Sequence, residues 1–194
     1  MLKVLIVYGT NDGHTKKIAQ RMATVLTSQG CSADVCHIRT RDTDPSPELF
    51  DLTIVAASVH VGKYQNAVRQ WVRHHSGTLN QNPSAFISVC LAVLEKNPES
   101  DSKLGKILES FSETTKWKPK QTLIVAGAIS YTRYGFLKKW IMKRIARKFS
   151  GDTDTSRDYE YTDWQALGKF GQHLIEVKRS NLFSSDLRTT VGLR

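Results

Sequence analysis

The chain opens with Leu2-Lys3-Val4-Leu5-Ile6-Val7-Tyr8, a nearly unbroken apolar run, and turns through Gly9-Thr10-Asn11-Asp12-Gly13 directly into a helical stripe. No other feature limits the fold so severely. A strand that is apolar on both faces belongs to a parallel sheet with helices on both sides. From Thr15 the period becomes helical: Ile18, Met22, Val25 and Leu26 share one stripe, and Gly30 lies beyond its end. The opening run is too short to cross a bilayer, which takes roughly 18 residues. It also lacks the small-residue cleavage site of a secretory leader.

The alternation continues. Ala33–Ile38, Leu52–Ala57, Ser84–Leu91 and Thr122–Ala128 carry strand patterns, and Asp44-Pro45-Ser46-Pro47 is a loop. Helical patterns fall on Ala67–His74 through Val68, Trp71 and Val72, and on Asp101–Phe111 through Leu104, Ile107 and Leu108. A last one covers Trp164–Val177 through Leu167, Phe170, Leu174 and Ile175. The expected class is therefore α/β, a doubly wound five-stranded parallel sheet with a long basic insertion at the fifth strand. More than thirty residues separate Ala128 from Trp164, too many for an ordinary connection. The insertion is placed at about 129–158, the domain at 1–178, and a loose tail at 179–194, where periodicity fails.

At 194 residues, with 40% hydrophobic and 24% charged residues, the chain suits one globular domain with a proper core. Three cysteines, Cys31, Cys36 and Cys90, form no metal-ligand spacing and fit a reduced, cytoplasmic setting. The net charge of +10 is the unusual value, because a basic surface attracts anions.

Ligands of open parallel sheets lie beyond the C-terminal strand ends, where strand order reverses. The first such end, Tyr8 to Thr15, opens into a helix, so backbone N–H groups and the helix dipole make an anion site there. Thr10 and Thr15 add hydroxyls, and Gly13 permits the tight turn. A nucleotide P-loop needs lysine where His14 stands, and the dinucleotide fingerprint needs three glycines where only Gly9 and Gly13 occur. Thr10-Asn11-Asp12-Gly13-His14-Thr15 resembles the phosphate loop of flavodoxins, Ser/Thr-x-x-Gly-x-Thr, and the resemblance implies non-covalent FMN. After the third strand, Ser58-Val59-His60-Val61-Gly62-Lys63-Tyr64 falls where flavodoxins wrap the isoalloxazine ring; Val61 stands where many of them stack an aromatic. Ser88-Val89-Cys90-Leu91 corresponds to the other flavin-flanking loop. A response-regulator receiver is excluded, since Ala57 and Ser58 offer no carboxylate for phosphorylation.

From 129 to 149 there are seven basic residues, Arg133, Lys138, Lys139, Lys143, Arg144, Arg147 and Lys148, and no acid. At 100° per residue, 136–149 sorts Leu137, Ile141, Met142, Ile145 and Phe149 onto one arc, with Lys139, Lys143, Arg144 and Arg147 opposite. Such a helix is either a solvated face or a contact for an anionic membrane or a flat anionic substrate. Nucleic acid is not expected, because no recognition fold accompanies the charge.

Several stretches, from residue 1 to about 178, resemble the flavodoxin-like, menaquinone-dependent protoporphyrinogen IX dehydrogenases of haem biosynthesis. They are the phosphate loop, Asn82-Pro83-Ser84-Ala85-Phe86-Ile87-Ser88-Val89, Val125-Ala126-Gly127-Ala128 with Tyr131-Thr132-Arg133-Tyr134, and Ser150-Gly151-Asp152-Thr153-Asp154-Thr155 with Tyr161-Thr162-Asp163-Trp164. The resemblance implies FMN-dependent, six-electron oxidation of protoporphyrinogen IX, with menaquinone or ubiquinone as acceptor, on the inner face of the cell membrane. It adds Phe86 and Asp154 to the cofactor set. It also assigns Tyr131, Arg133, Tyr134, Lys138, Lys139, Trp140 and Lys143 to substrate or membrane contact, Arg133 and the lysines facing propionates and the aromatics stacking on the macrocycle. No catalytic acid or base is identifiable, and homo-oligomerisation is left open. The alternatives are a flavodoxin-type electron shuttle and a nicotinamide-fed quinone reductase, although nothing reads as a nicotinamide site.

Overall fold

The computed structural model describes residues 1–39, 45–133, 147 and 153–190, the side chains of residue 133 and of residues 181–190 excepted. Five parallel strands form the sheet: β1 (Lys3–Gly9), β2 (Ser32–His37), β3 (Leu52–Ser58), β4 (Ser84–Val89) and β5 (Gln121–Val125). Their order is β2-β1-β3-β4-β5. The register pairs Val4 with Leu52, Thr53 with Ser84 and Ala85 with Gln121. Strand order reverses between β1 and β3, so their C-terminal ends open a crevice where the connecting loops diverge.

Both faces of the sheet are covered, which is why its strands read as continuous apolar runs. On one face, Val4, Ile6, Ile54 and Ile87 pack against α1 (His14–Ser28) and α5 (Trp164–Thr190). On the other, Leu5, Val7, Val55 and Phe86 meet α2 (Asn66–His74) and α4 (Pro98–Thr115). Each fully buried aliphatic side chain contributes about 1.5–3 kcal/mol. An aromatic cluster anchors this second face: Phe86 stacks on Phe111 at 4.9 Å, and Trp117, wholly buried, donates its indole N–H to Ser84 Oγ at 3.0 Å. The short helix α3 (Ser76–Gln81) links α2 to β4.

Three boundaries differ from the periodic pattern, each for a local reason. Helix α4 starts at Pro98, ahead of Asp101, because Asn97 caps it by accepting from Ser100 N at 2.9 Å and proline suits the first turn. Strand β5 stops at Val125; Ala128–Ile129 then forms β6, antiparallel to β7 (Tyr159–Glu160). Helix α5 continues past Val177 to Thr190, since no proline or glycine interrupts that stretch. Arg179 fastens it by donating to Gln29 O at 2.6 Å. The β6–β7 ribbon joins the two ends of the insertion. Its residues 134–146 and 148–152 lie outside the described ones. No described helix is long and apolar enough to cross a membrane.

Candidate cofactor site at the crevice

The loop between β1 and α1 is an anion cradle. Thr10 Oγ1 accepts from Gly13 N at 2.9 Å, closing the turn, and Gly13 adopts φ 90°, a left-handed conformation that glycine takes without steric cost. Helix α1 follows at once with no acidic residue in its first turn, so its free N–H groups and positive dipole end stay uncompensated. Thr15 Oγ1 is buried and has no hydrogen-bond partner among the described residues. The loop must lie close to α2. A Cβ on Gly9 would stand 2.4 Å from the buried Val68 Cγ2.

The second wall comes from the end of β3. His60 and Lys63 exchange backbone hydrogen bonds of 2.8 and 3.1 Å across a two-residue turn. Its central residues, Val61 and Gly62, both have positive φ, 49° and 73°. A β-branched residue in that conformation is strained. Val61 is also fully exposed, so the turn holds an apolar side chain in solvent. Gln65 ties the two loops together: its Nε2 donates to Ser58 Oγ at 2.7 Å and reaches Asn11 Oδ1 at 3.4 Å. The amide oxygen of Gln65 is buried without a donor among the described residues. Ser58 Oγ also lies 3.1 Å from His60 Nε2. Beyond β4, Cys90 leads into a 3-10 turn at Leu91–Glu95 that forms the opposite lip.

A third element meets the loop from the far end of the chain. His14 does not point at the anion cradle. Thr162 Oγ1 donates to Ala126 O at 2.7 Å and lies 2.6 Å from His14 Nε2, which is therefore the donor of that pair. Burial lowers the imidazole pKa; nearby Glu160 opposes this and Lys17 assists it. Glu160 in turn binds Lys17 Nζ at 2.5 Å and the Trp164 indole at 2.7 Å. Burial pushes its carboxyl upward, but these hydrogen bonds outweigh that and hold it below the usual range. Between this hairpin and the loop lies a cavity of about 480 Å³, bordered by Asp12, Lys17, Ser130, Asp158 and Glu160.

The flavodoxin domain family matches residues 5–156. Protoporphyrinogen IX dehydrogenase [quinone] of Escherichia coli K12 is 33% identical over 176 residues, 91% of this chain and 96% of that protein. A protein of the same name from Leishmania major is 30% identical over 171 residues, 87% of this chain and 72% of the other. The chain belongs to the quinone-dependent protoporphyrinogen IX dehydrogenase family. Solved structures agree on the fold. A short-chain flavodoxin from a bacterial microcompartment superposes with a TM-score of 0.57 at 14% identity, covering 92% of this chain and 99% of that one. Oxidised flavodoxin 1 of Bacillus cereus gives 0.54 at 14%, covering 90% and 97%.

FMN is the cofactor of flavodoxin domains, and the crevice of this dehydrogenase-family chain fits it. The orphaned Thr15 hydroxyl and the exposed N-terminus of α1 are what a phosphomonoester requires. Thr10, Asn11, Asp12, Gly13, Ser58, Val59, His60, Val61 and Gly62 converge on the crevice, with Cys90 and Leu91 on its other lip. Several expected residues take different places. Phe86 is wholly buried in the aromatic cluster, because β4 is covered on both faces and alternation turns Phe86 toward α2 and α4. Val89 packs in the opposite core, and Ser88 Oγ is occupied by Tyr64 Oη at 2.7 Å. Tyr131 is 0% exposed, packed with Ile129 and edge-on to Tyr159 at 6.1 Å, so its ring offers no face to a macrocycle. Asp154 is exposed and accepts from Ser156 N in a local turn. Tyr134, Lys138, Lys139, Trp140 and Lys143 lie outside the described residues, as does the side chain of Arg133. Periodicity missed Gln65, Asp158, Glu160 and Thr162. Only the run Tyr161-Thr162-Asp163-Trp164 flagged that neighbourhood.

Proposed function

We propose that the protein oxidises protoporphyrinogen IX to protoporphyrin IX, using bound FMN and a membrane quinone. The observation that carries this is the match, over nearly its whole length, to the E. coli dehydrogenase of that name, joined to a loop that fits the cofactor phosphate. The conversion removes six electrons and six protons in three two-electron steps, and three quinones leave as quinols. When bound, the flavin supplies the two-electron exchange between porphyrinogen and quinone. The chain's own residues bind and orient. Thr15 Oγ1 and the N–H groups at the start of α1 would hold the phosphate, while Gly13 N–H closes the turn on Thr10, and Gln65 and Ser58 brace the two loops. The strained Val61–Gly62 turn and the Cys90–Leu91 segment are the loops that would flank the flavin ring.

The basic stretch with Arg133, Lys138, Lys139 and Lys143, and the aromatics Tyr134 and Trp140, is assigned to the anionic inner membrane surface, where menaquinone or ubiquinone dissolves. In this reading the protein is cytoplasmic and peripherally attached.

The test is anaerobic: FMN-loaded protein receives protoporphyrinogen IX and a menaquinone analogue. Porphyrin fluorescence is expected to grow well above the uncatalysed rate. A rate equal to the protein-free control overturns the proposal.

A further inference from the structure

We propose that the groove between α2 and α4 holds the carboxylate side chains of the substrate through Lys63, Arg69 and Arg73. This rests on the porphyrinogen reading above and goes beyond it, because it moves the anionic end of the substrate away from the insertion. A cleft of about 830 Å³ is bordered by Arg69, Trp71, Arg73, His74 and His75. A smaller one of about 210 Å³ is bordered by Gly62, Lys63, Tyr64 and Ser110. Arg69 and Thr114 border both, so the groove runs unbroken from the turn at the crevice mouth along α2.

The charge pattern selects an anion. Among the described residues no acid borders either part, and Glu48 acts on His75 only from outside the lining. Arg69 and Arg73 stand one helical turn apart, and neither makes an ion pair among the described residues. Like charges at this spacing repel, and a bridging carboxylate relieves that repulsion with bidentate geometry. Trp71 supplies a second observation. It is 4% exposed, and its indole N–H, an obligatory donor, has no acceptor among the described residues. The ring of His75 lies against it at 4.7 Å.

The cavity on the other side of the phosphate loop has the opposite character. Asp12, Asp158 and Glu160 border it, and the one described lysine there, Lys17, is paired to Glu160, so the described lining offers a propionate no unpaired lysine or arginine. Among the described residues, the direction along α2 is the one that offers a macrocycle at the flavin turn cations for its carboxylates.

The test compares wild type with Arg69→Glu/Arg73→Glu and Arg69→Gln/Arg73→Gln, each first checked for FMN retention and thermal unfolding. For protoporphyrinogen IX, KM is expected to rise about tenfold or more with kcat changing far less. The preference, in kcat/KM, for this substrate over octaethylporphyrinogen, which has no carboxylates, is expected to fall by a similar factor. An unchanged preference in a folded, FMN-bearing variant overturns the inference. Binding of protoporphyrin IX to the holoprotein, followed by its fluorescence, reads the same contact without turnover. If wild type shows no turnover, the functional proposal fails, while loss of this affinity in the variants still supports the groove and retention overturns it. Should the variants instead lose binding to phosphatidylglycerol vesicles with porphyrin affinity intact, the groove is a lipid site and the inference falls.

Discussion

Gly13 bears the heaviest constraint on a single residue in the crevice. Its φ of 90° closes the turn that Thr10 Oγ1 stabilises, and the next residues begin α1. A β-branched side chain in left-handed backbone costs about 1–2 kcal/mol, and here the strain is paid where the phosphate N–H groups must align. Gly13→Val is expected to weaken FMN binding at least tenfold, measured by flavin fluorescence titration. An unchanged dissociation constant sinks the phosphate-loop assignment. The direction of His14 is a residue-scale result of another kind. The motif places it in the loop, yet its imidazole binds Thr162, 148 positions away. No rule of spacing along a chain predicts such a partner.

At the scale of elements, the β6–β7 hairpin is latched to α1 by His14, Lys17, Glu160 and Thr162. His14 has a pKa below its unfolded value, so between the two the unfolded chain binds more protons and stability rises with pH. The stabilisation is complete above the unfolded value of about 6.5 and diminishes as pH falls below it. His37 and His75 are shifted the same way by burial. The urea midpoint is expected to drop from pH 7.5 to pH 5, with a shallower slope for His14→Asn. An identical slope in that variant refutes the role of the latch. A second experiment replaces residues 134–152 with a short Gly/Ser linker and keeps Tyr131 and β7, because Tyr131 belongs to the hairpin core. FMN retention is expected to survive while vesicle association and quinone-coupled turnover are lost. Full turnover in the shortened protein removes the insertion from the mechanism.

For the molecule as a whole, the net charge of +10 predicts binding to anionic but not neutral vesicles at low salt, released as ionic strength shortens the Debye length to about 3 Å at 1 M. Co-sedimentation across a salt series checks this, and salt-independent or absent binding contradicts peripheral attachment. The sequence by itself determined the alternation of strands and helices, the parallel class and the anion loop, because unbroken apolar runs, a period of 3.6 and a glycine turn are written in neighbouring residues. It also carried the family resemblance over nearly the whole chain. Tertiary structure alone decided that Phe86 and Tyr131 are core, that Gln65 bridges two loops, and that the arginines of α2 line a groove bordered by no acid among the described residues. Those outcomes depend on which distant elements pack together. A side chain's partner across the fold is set by the three-dimensional arrangement of layers, which short-range patterning does not encode.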